Sequence, residues 1–571
     1  MTLKYRWKIK EPDYSKYRIL VEKHGFHPVI ARLLSLRGLY EPDKIEVFLN
    51  PLPKFLYNPF LMQDMEKAVN RLIKAFYNKE KILIYGDYDV DGITGTSLLL
   101  RFFRKLQLPA SFYIPDRETE GYGLSISGVE YAIENNFDLI ITCDCGINAF
   151  DEIDYANKNG IDVIVTDHHE PSDELPDAYA VLDPKRSDDS YTFTDLCGVG
   201  VAYKLLHGFC IRKGIPSEVI NEDLDLVAIG IAADLVPVID ENRILLSVGL
   251  KKIKETCKPG IKALIDVSGF GNSDIDVSTI VFGLAPRLNA AGRISHASKS
   301  VELLITDNYQ RAVRIARELQ RENRERQRIE KETIDDAIRR LNHIHNMEKD
   351  KIIILSSNDW HQGVIGIVAS KIKEQYNKPV VLVSFHEGIG KGSARSIDGF
   401  DIYKAFAACS EYLDSFGGHK MAAGLVVRYE NFGGFYKKIN EIAKEMIEDE
   451  MLLPVLEVDA EIKLLDLDRN IIEFLNKLAP FGPGNMKPLF LAKNLKISGI
   501  PRTINEMHVR FKVCQDKFVI SAIGWRMIDR YEYLISNMPL SMIFSVEENT
   551  YNGLAEMQLN VKDVRYYDGI E

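Results

Sequence analysis

Between residues 81 and 236 the chain repeats one pattern: a short, β-branched apolar run closes on an acid or a histidine, and a helical stretch follows. The runs KILIY (81–85), DLIIT (138–142) and IDVIVT (161–166) are succeeded by Asp87/Asp89/Asp91, by Asp144 and by Asp167/His168/His169. A fourth apolar segment, LVAIGIAA (226–233), which the pattern assigns to neither helix nor strand, leads into Asp234. Such βαβ alternation builds a parallel sheet. Ligands of open α/β sheets bind outside the carboxyl ends of the strands, so these separate segments are expected to converge on one crevice.

The 571-residue chain is too long for one domain and divides into about three to five. From Asn308 to Met347 it reads as one helix, free of Pro and Gly, whose middle (317–332) is polar nearly all round, as suits a helix bridging two domains. Residues 350–452 form a second α/β unit with glycine-rich loops at GKGSARS (390–396) and FGGHKMAAG (416–424). After Leu453-Pro454, alternating runs such as HVRFKVC and FVISAIGW have the spacing of a small β-barrel. The expected domains are an N-terminal segment (1–60), a catalytic domain (61–280), a connecting helix (281–349), a second α/β domain (350–452) and the barrel (453–571).

Composition narrows the classes. With 46% hydrophobic and 27% charged residues the composition is that of a soluble globular protein, which excludes wholesale disorder. No apolar run reaches the ~18 residues needed to cross a bilayer, and the opening MTLKYRWKIKEPDYS lacks a signal-peptide core, so the expectation is a cytoplasmic protein without a membrane partner. Seven cysteines in no paired framework point to reduced thiols. A net charge of −11 means that any nucleic acid is held by local basic surfaces or by metal ions. One such surface is visible: residues 287–330 hold ten Lys/Arg against six Asp/Glu, and Arg314, Arg317, Arg321, Arg324 and Arg328 share one helix face. Glu318, Glu322 and Glu325 are placed to pair with them, so a polyanion track and an ion-paired helix are both open.

GDYDVDG (86–92) imitates a calcium-binding EF-hand loop but fails the test, because position twelve is Leu98 rather than Glu and a strand precedes it. Three carboxylates in five residues repel one another unless a divalent cation neutralises them. CDCG (143–146) lacks the second pair that a zinc site needs, leaving Asp144 as its candidate. With His168, the acids make a mixed carboxylate and imidazole set suited to Mn²⁺ or Mg²⁺. Two such ions ~4 Å apart can hold both oxygens of a phosphoryl displacement. APRLNAAGR (285–293) offers a phosphate-contacting turn, and the two glycine-rich loops place amides near Arg395 and His419. Phe511, Phe518, Trp525 and Phe544 can stack bases, although core packing is the better reading for most of them. No G-x-x-x-x-G-K-[ST] loop occurs, so ATP is not implied.

Taken in order, YGDYDVDGITGT, ITCDCGI, VTDHHEP, LCGVGVAYKL, IGIAADLVPVIDENR, APRLNAAGR, WHQGVIGIVASKI, GSARS, FGGHKMAAG and LAPFGPGN resemble the DHH phosphoesterase superfamily, and within it the bacterial single-strand-specific 5′→3′ exonucleases. The resemblance implies a parallel-sheet DHH catalytic domain, a long connecting helix, a DHH-associated domain and an OB-fold around a hole that admits one strand. It implies metal ligation by Asp89, Asp91, Asp144, His168 and Asp234, with Asp87 added, and a catalytic set of Asp144, His168 and His169, the last at the scissile phosphate. Arg287, Asn289, Arg293, Arg395, Ser396 and His419 correspond to nucleic-acid-binding positions. Cys145 and Asp183 depart from the family, each standing where relatives carry Asn.

The expected function is therefore a two-metal exonuclease that degrades single-stranded DNA from its 5′ end to 5′-mononucleotides in repair and recombination. Single-strand-binding protein and a helicase are partners the family implies, and the expected state is a monomer. A phosphodiesterase for short oligonucleotides or cyclic dinucleotides, and a non-catalytic replication or repair scaffold, are the competing readings.

Overall fold

The computed structural model describes residues 4–567 except 118, 272–273, 345, 347–348 and 552–553. It divides into two compact units, one of residues 41–324 and 477–487, the other of residues 1–40, 325–476 and 488–571. No helix among the described residues is long and apolar enough to cross a membrane.

The first unit is built on five parallel strands, β1 (Ile82–Gly86), β2 (Ala110–Tyr113), β3 (Leu139–Cys143), β4 (Asp162–Thr166) and β5 (Ala180–Leu182), in the order β2-β1-β3-β4-β5. Every residue of β1 and β3 is buried, which explains why these strands read as continuous apolar runs rather than alternating ones. The order reverses between β1 and β3, and at such a switch point the connections leave in opposite directions and open a crevice. Helix α1 (Val90–Lys105) follows β1 and α2 (Gly198–Lys213) follows β5. The undecided segment LVAIGIAA proves to be helix, α3 (Leu224–Asp234). Residues 224–231 are all buried, so the helical period leaves no mark on the sequence. Asp234 is thus supplied by a helix C-terminus and not by a strand. After α4 (Asp240–Lys254), the motif APRLNAAGR forms helix α5 (Ala285–Ile294), with Pro286 in its first turn, rather than the expected turn.

Helix α6 (Tyr309–Ile344) realises the long connecting helix, while positions 345 and 347 of the expected span lie outside the described residues. Its middle is less solvated than its polarity suggests. The buried stripe Ala312, Ile315, Ala316 and Leu319 continues through Asn323, Glu330 and Thr333 to Ala337 and Leu341. Arg326, 2.9 Å from Glu330, and Lys371 balance the buried carboxylate.

In the second unit, β6 (Ile353–Ser357), α7 (Gln362–Tyr376) and β7 (Val380–His386) make the expected βαβ step. The two segments read as glycine-rich loops are strands: β8 (Ile389–Arg395), β9 (Ser415–His419) and β10 (Ala422–Arg428) complete a sheet ordered β9-β10-β8-β7-β6. Gly424 pairs with both Gly417 and Ser393, so much of the glycine backbone expected to cradle phosphate is engaged in the ladder. Helix α8 (Arg469–Leu478) precedes β11 (Phe490–Ile497), β12 (His508–Gln515), β13 (Phe518–Gly524), β14 (Leu540–Tyr551) and β15 (Leu554–Tyr566). These five strands close as β11-β14-β15-β13-β12-β11, a small barrel of OB type. Phe511 and Phe544 fill its core, whereas Trp525 is 53% exposed, with the His508 ring centroid 4.8 Å away.

Candidate metal centre

The acids of β1 and β3 are brought to the switch point by local chain geometry. The Asp89 carboxylate caps α1, accepting from the amides of Asp91 at 2.8 Å and Gly92 at 3.3 Å. Asp91, in the first turn of α1, accepts from Gly198 at 2.6 Å and Val199 at 2.9 Å, the opening amides of α2. That helix approaches Asp144 so closely that a Cβ on Gly198 would stand 2.6 Å from the Asp144 Cβ. Asp144 itself has φ 63°, a left-handed conformation that Asp tolerates better than most residues.

Three overlapping groups result, Asp87/Asp89/Asp144, Asp91/His168/Asp234 and Asp144/His168/His169, with the ligating atoms of each within 4.8 Å of one another. His168 Nε2 is 3.1 Å from Asp144 Oδ1, 3.7 Å from Asp234 Oδ2 and 3.8 Å from Asp91 Oδ2. The structure thus brings together all six residues expected to bind metal, with His169 beside them.

Charge is the dominant feature of the site. Burial, and then the neighbouring carboxylates, raise Asp91 to about 7 and Asp234 to about 8, and push Asp87 and Asp144 well above the carboxylate range. Asp87 Oδ1 and Asp144 Oδ1 are buried without a hydrogen-bond partner. Burial, and then the charge of His169, lower His168 to about 3, which keeps its imidazole neutral and fit to ligate. Oxygen donors plus one neutral imidazole are the set that hard divalent cations take, and the orphaned oxygens are the polar groups such a cation satisfies.

Two residues that the sequence reading did not assign shape this centre. Asp167, buried, accepts from His169 Nδ1 at 2.8 Å and from the amides of His168, His169 and Ile147. Burial opposes protonation of His169, but the hydrogen bond and charge of Asp167 outweigh it and raise the imidazole to about 9. The Tyr122 hydroxyl lies 2.9 Å from the Asp144 carbonyl and 3.0 Å from His169 Nδ1, so the ring closes over that histidine. The D in DHH and the GYG stretch were the available signals for them.

The phosphate-binding candidates are less uniform. Helix α5 sets Gly292 against the Tyr88 carbonyl, between Asp87 and Asp89, with Arg293 close enough to act electrostatically on Tyr88. Arg287 is half-buried and donates to Gln320 at 2.5 Å and to the Gly283 carbonyl; Asn289 is half-buried. Arg314, Arg317, Arg321 and Arg324 are exposed and form no ion pair among the described residues, whereas Arg328 is held by Glu325 and Glu332. In the second unit, Arg395 has no acidic partner among the described residues and donates to Ser370, Ser393 and the Ala394 carbonyl. Ser396 is buried and donates to the Phe400 carbonyl at 2.7 Å; His419 is exposed. Of the two departures, Cys145 is buried in the apolar layer beneath the sheet, and Asp183 is fully buried with Oδ2 unpartnered.

Sequence models match in three places: the DHH family N-terminal domain over residues 81–231, the DHHA1 domain over 349–445 and the RecJ OB domain over 458–563. The single-stranded-DNA-specific exonuclease RecJ of Bacillus subtilis (strain 168) is 38% identical over 98% of this chain and 71% of its own length. That of Haemophilus influenzae is 33% identical over 95% of this chain and 97% of its own. Among solved structures, RecJ in complex with Mn²⁺ from Thermus thermophilus superposes with a TM-score of 0.83 at 28% identity, covering 98% of this chain and 79% of that one. An exonuclease RecJ bound to manganese gives 0.59 at 34% identity, covering 68% of this chain and 96% of that one.

Proposed function

Because the chain belongs to the RecJ family of DHH phosphoesterases, we propose that it is a metal-dependent exonuclease that degrades single-stranded DNA from the 5′ end to 5′-mononucleotides in repair and recombination. The observation that carries this reading is the convergence of Asp87, Asp89, Asp91, Asp144 and Asp234 on His168 in a buried site whose own charges are uncompensated. Mn²⁺ or Mg²⁺, as two ions, would be held by Asp87, Asp89 and Asp144 on one side and by Asp91, His168 and Asp234 on the other, with Asp144 within reach of both. Bound there, the cations supply Lewis acidity and lower the pKa of coordinated water.

The chain's own groups do the rest. His169, held protonated and oriented by Asp167, faces the Asp144 side of the cluster and donates to a phosphate oxygen, so that charge developing there meets a fixed donor. Tyr122 keeps His169 from swinging into solvent and covers the cluster on that side. Arg293 on α5, with Arg287 and Asn289 on the same helix, binds the phosphate backbone. Arg395 and His419 bind nucleotide from the DHH-associated domain, with Ser396 fixing the end of β8. The OB barrel grips the strand through backbone charge and stacking, a sequence-tolerant mode. The domain limits 61–280, 281–349, 350–452 and 453–571 belong to this proposal, as do a monomeric state and association with single-strand-binding protein or a helicase.

The test is digestion of single-stranded DNA labelled at either end, with Mn²⁺, Mg²⁺ or chelator. The proposal expects immediate release of the 5′ label as mononucleotide, abolished by chelator. Cleavage of dinucleotides with long strands spared transfers the site to small phosphodiester substrates. Binding without cleavage makes the chain a scaffold.

A further inference from the structure

Asp234 is the one acid of the cluster that comes from the C-terminal end of a helix, whereas Asp89 and Asp91 stand at the N-terminus of α1, and the link that follows Asp234 is strained. Leu235, the first residue after α3, has φ 58°, and Asp240, the first of α4, has φ 44°. A left-handed backbone is costly for a branched residue and persists only where its surroundings over-determine it.

Those surroundings come from far along the chain. The Val238 amide donates to the Pro483 carbonyl at 2.7 Å. Gly482 packs so tightly on Val238 that a Cβ there would lie 2.5 Å from its Cγ2, and Gly484, with φ 73°, lies against Pro237 and Ile239. The LAPFGPGN segment is anchored in turn by Arg243 of α4. This guanidinium, 1% exposed, donates to the carbonyls of Lys477, Leu478, Ala479, Pro480 and Phe48 at 2.8–3.2 Å. The Asn485 amide donates to the carbonyls of Leu478 and Pro480. A buried guanidinium is tolerated only when its donors are matched, and here four of the five matching carbonyls belong to consecutive residues, the last two of α8 and the two that follow it. Residues 477–487 lie inside the stretch matched by the RecJ OB domain, yet they pack as part of the compact unit that holds the acid cluster.

We propose that Arg243 and the LAPFGPGN segment form a positioning clamp that fixes the 235–239 link and, through it, the Asp234 carboxylate in the place a cation needs. This rests on the reading of Asp234 as a metal ligand. The alternative is packing alone, which would affect stability and leave metal affinity untouched.

Three variants of the full chain separate these, Asp234→Ala, Gly482→Ala and Arg243→Lys, each titrated with Mn²⁺ alone while free Mn²⁺ is read by electron paramagnetic resonance, and each melted without metal. Positioning residues around metal ligands typically contribute 10–100-fold to affinity, so Gly482→Ala is expected to weaken Mn²⁺ binding by about 10-fold, measured well below a metal-free Tm that the new Cβ lowers by a few degrees. Arg243→Lys keeps the charge and loses the fork, and is expected to weaken binding at least as much; if it does not fold, Gly482→Ala decides. Parental Mn²⁺ affinity in Gly482→Ala, whatever its Tm, overturns the clamp provided Asp234→Ala binds weakly. Parental affinity in Asp234→Ala removes the ligand reading instead, and the clamp with it.

Discussion

The unit that carries the candidate metal centre holds a second knot of buried acids, and the two behave oppositely. Asp223 and Asp225 are each 1% exposed, as buried as Asp91 and Asp144. Asp223, however, lies 2.8 Å from both Arg101 and Lys105 and 3.3 Å from Lys258, and Asp225 lies 2.8 Å from Lys258. Burial raises the Asp223 carboxyl, but these cations outweigh it and hold the group below its ordinary range. At the metal centre no Lys or Arg reaches the acids within ion-pair distance among the described residues, and Asp91 and Asp234 rise to about 7 and 8. Burial alone therefore does not decide the fate of a carboxylate. A cluster with its neutralising cations among the side chains is complete in itself, and one without them among the described residues is suited to cations taken from solution.

The largest test of that contrast is Asp144→Ala. Asp144 belongs to two of the three ligand groups, and losing it is expected to lower single-strand digestion by about three orders of magnitude, roughly 4 kcal/mol of transition-state stabilisation. The lost carboxyl is one the metal-free protein does not balance, which offsets the cost of alanine in the left-handed backbone at this position, so its metal-free Tm should stay about level. End-labelled digestion and thermal melts check both halves.

The same contrast has a pH signature. Asp91 and Asp234 hold protons more tightly folded than unfolded, so their contribution favours the fold at low pH and is lost as pH rises from about 4 through 7 and 8. Metal-free protein is expected to lose Tm over that window. Saturating Mn²⁺ should abolish the slope and, at about 100 times its Kd, add roughly 2.7 kcal/mol, or about 5–10 °C. A Tm that rises between pH 5 and 8 without metal would break the comparison.

How much of this was legible beforehand follows from what each signal depends on. KILIY, DLIIT and IDVIVT announce β1, β3 and β4 because buried parallel strands are uniformly apolar, and the acids behind them announce the cluster. LVAIGIAA does not reveal its helix, since a helix buried on every side shows no periodicity. β8 and β9 read as loops because glycine argues against a strand, although cross-strand pairing overrides it here. The compensation of Asp223 is invisible in the sequence, since Arg101 and Lys258 lie far from it along the chain on either side. Asp167 is legible as an acid but not as the group that orients His169, a role set by geometry alone.

Asp223→Asn tests the compensated knot. It leaves Arg101, Lys105 and Lys258 facing one carboxylate fewer, and breaking a buried ion pair from one side costs about 3–5 kcal/mol. The expected outcome is a Tm several degrees lower, with Mn²⁺ affinity and activity per folded molecule unchanged. If Mn²⁺ binding weakens instead, the two knots are not independent.

Asp183 is the intermediate case and carries the smallest expected effect. It is fully buried, Oδ1 accepts the Lys185 amide at 2.8 Å, Oδ2 has no partner, and burial lifts the carboxyl to about 7. It thus lacks a compensating cation, as the metal-centre acids do, but it stands outside all three ligand groups. Asn keeps the shape and the acceptor, and its amide adds a donor where the carboxylate oxygen had no partner. Asp183→Asn should stabilise the metal-free protein by about 1–2 kcal/mol above pH 7, where the native acid must ionise in a poorly solvated place, and by nothing below pH 4. Mn²⁺ affinity is expected to stay within a factor of about three. A tenfold loss would make Asp183 a ligand and extend the uncompensated cluster to β5; an unchanged Tm at pH 8 would mean that Lys185 already balances it.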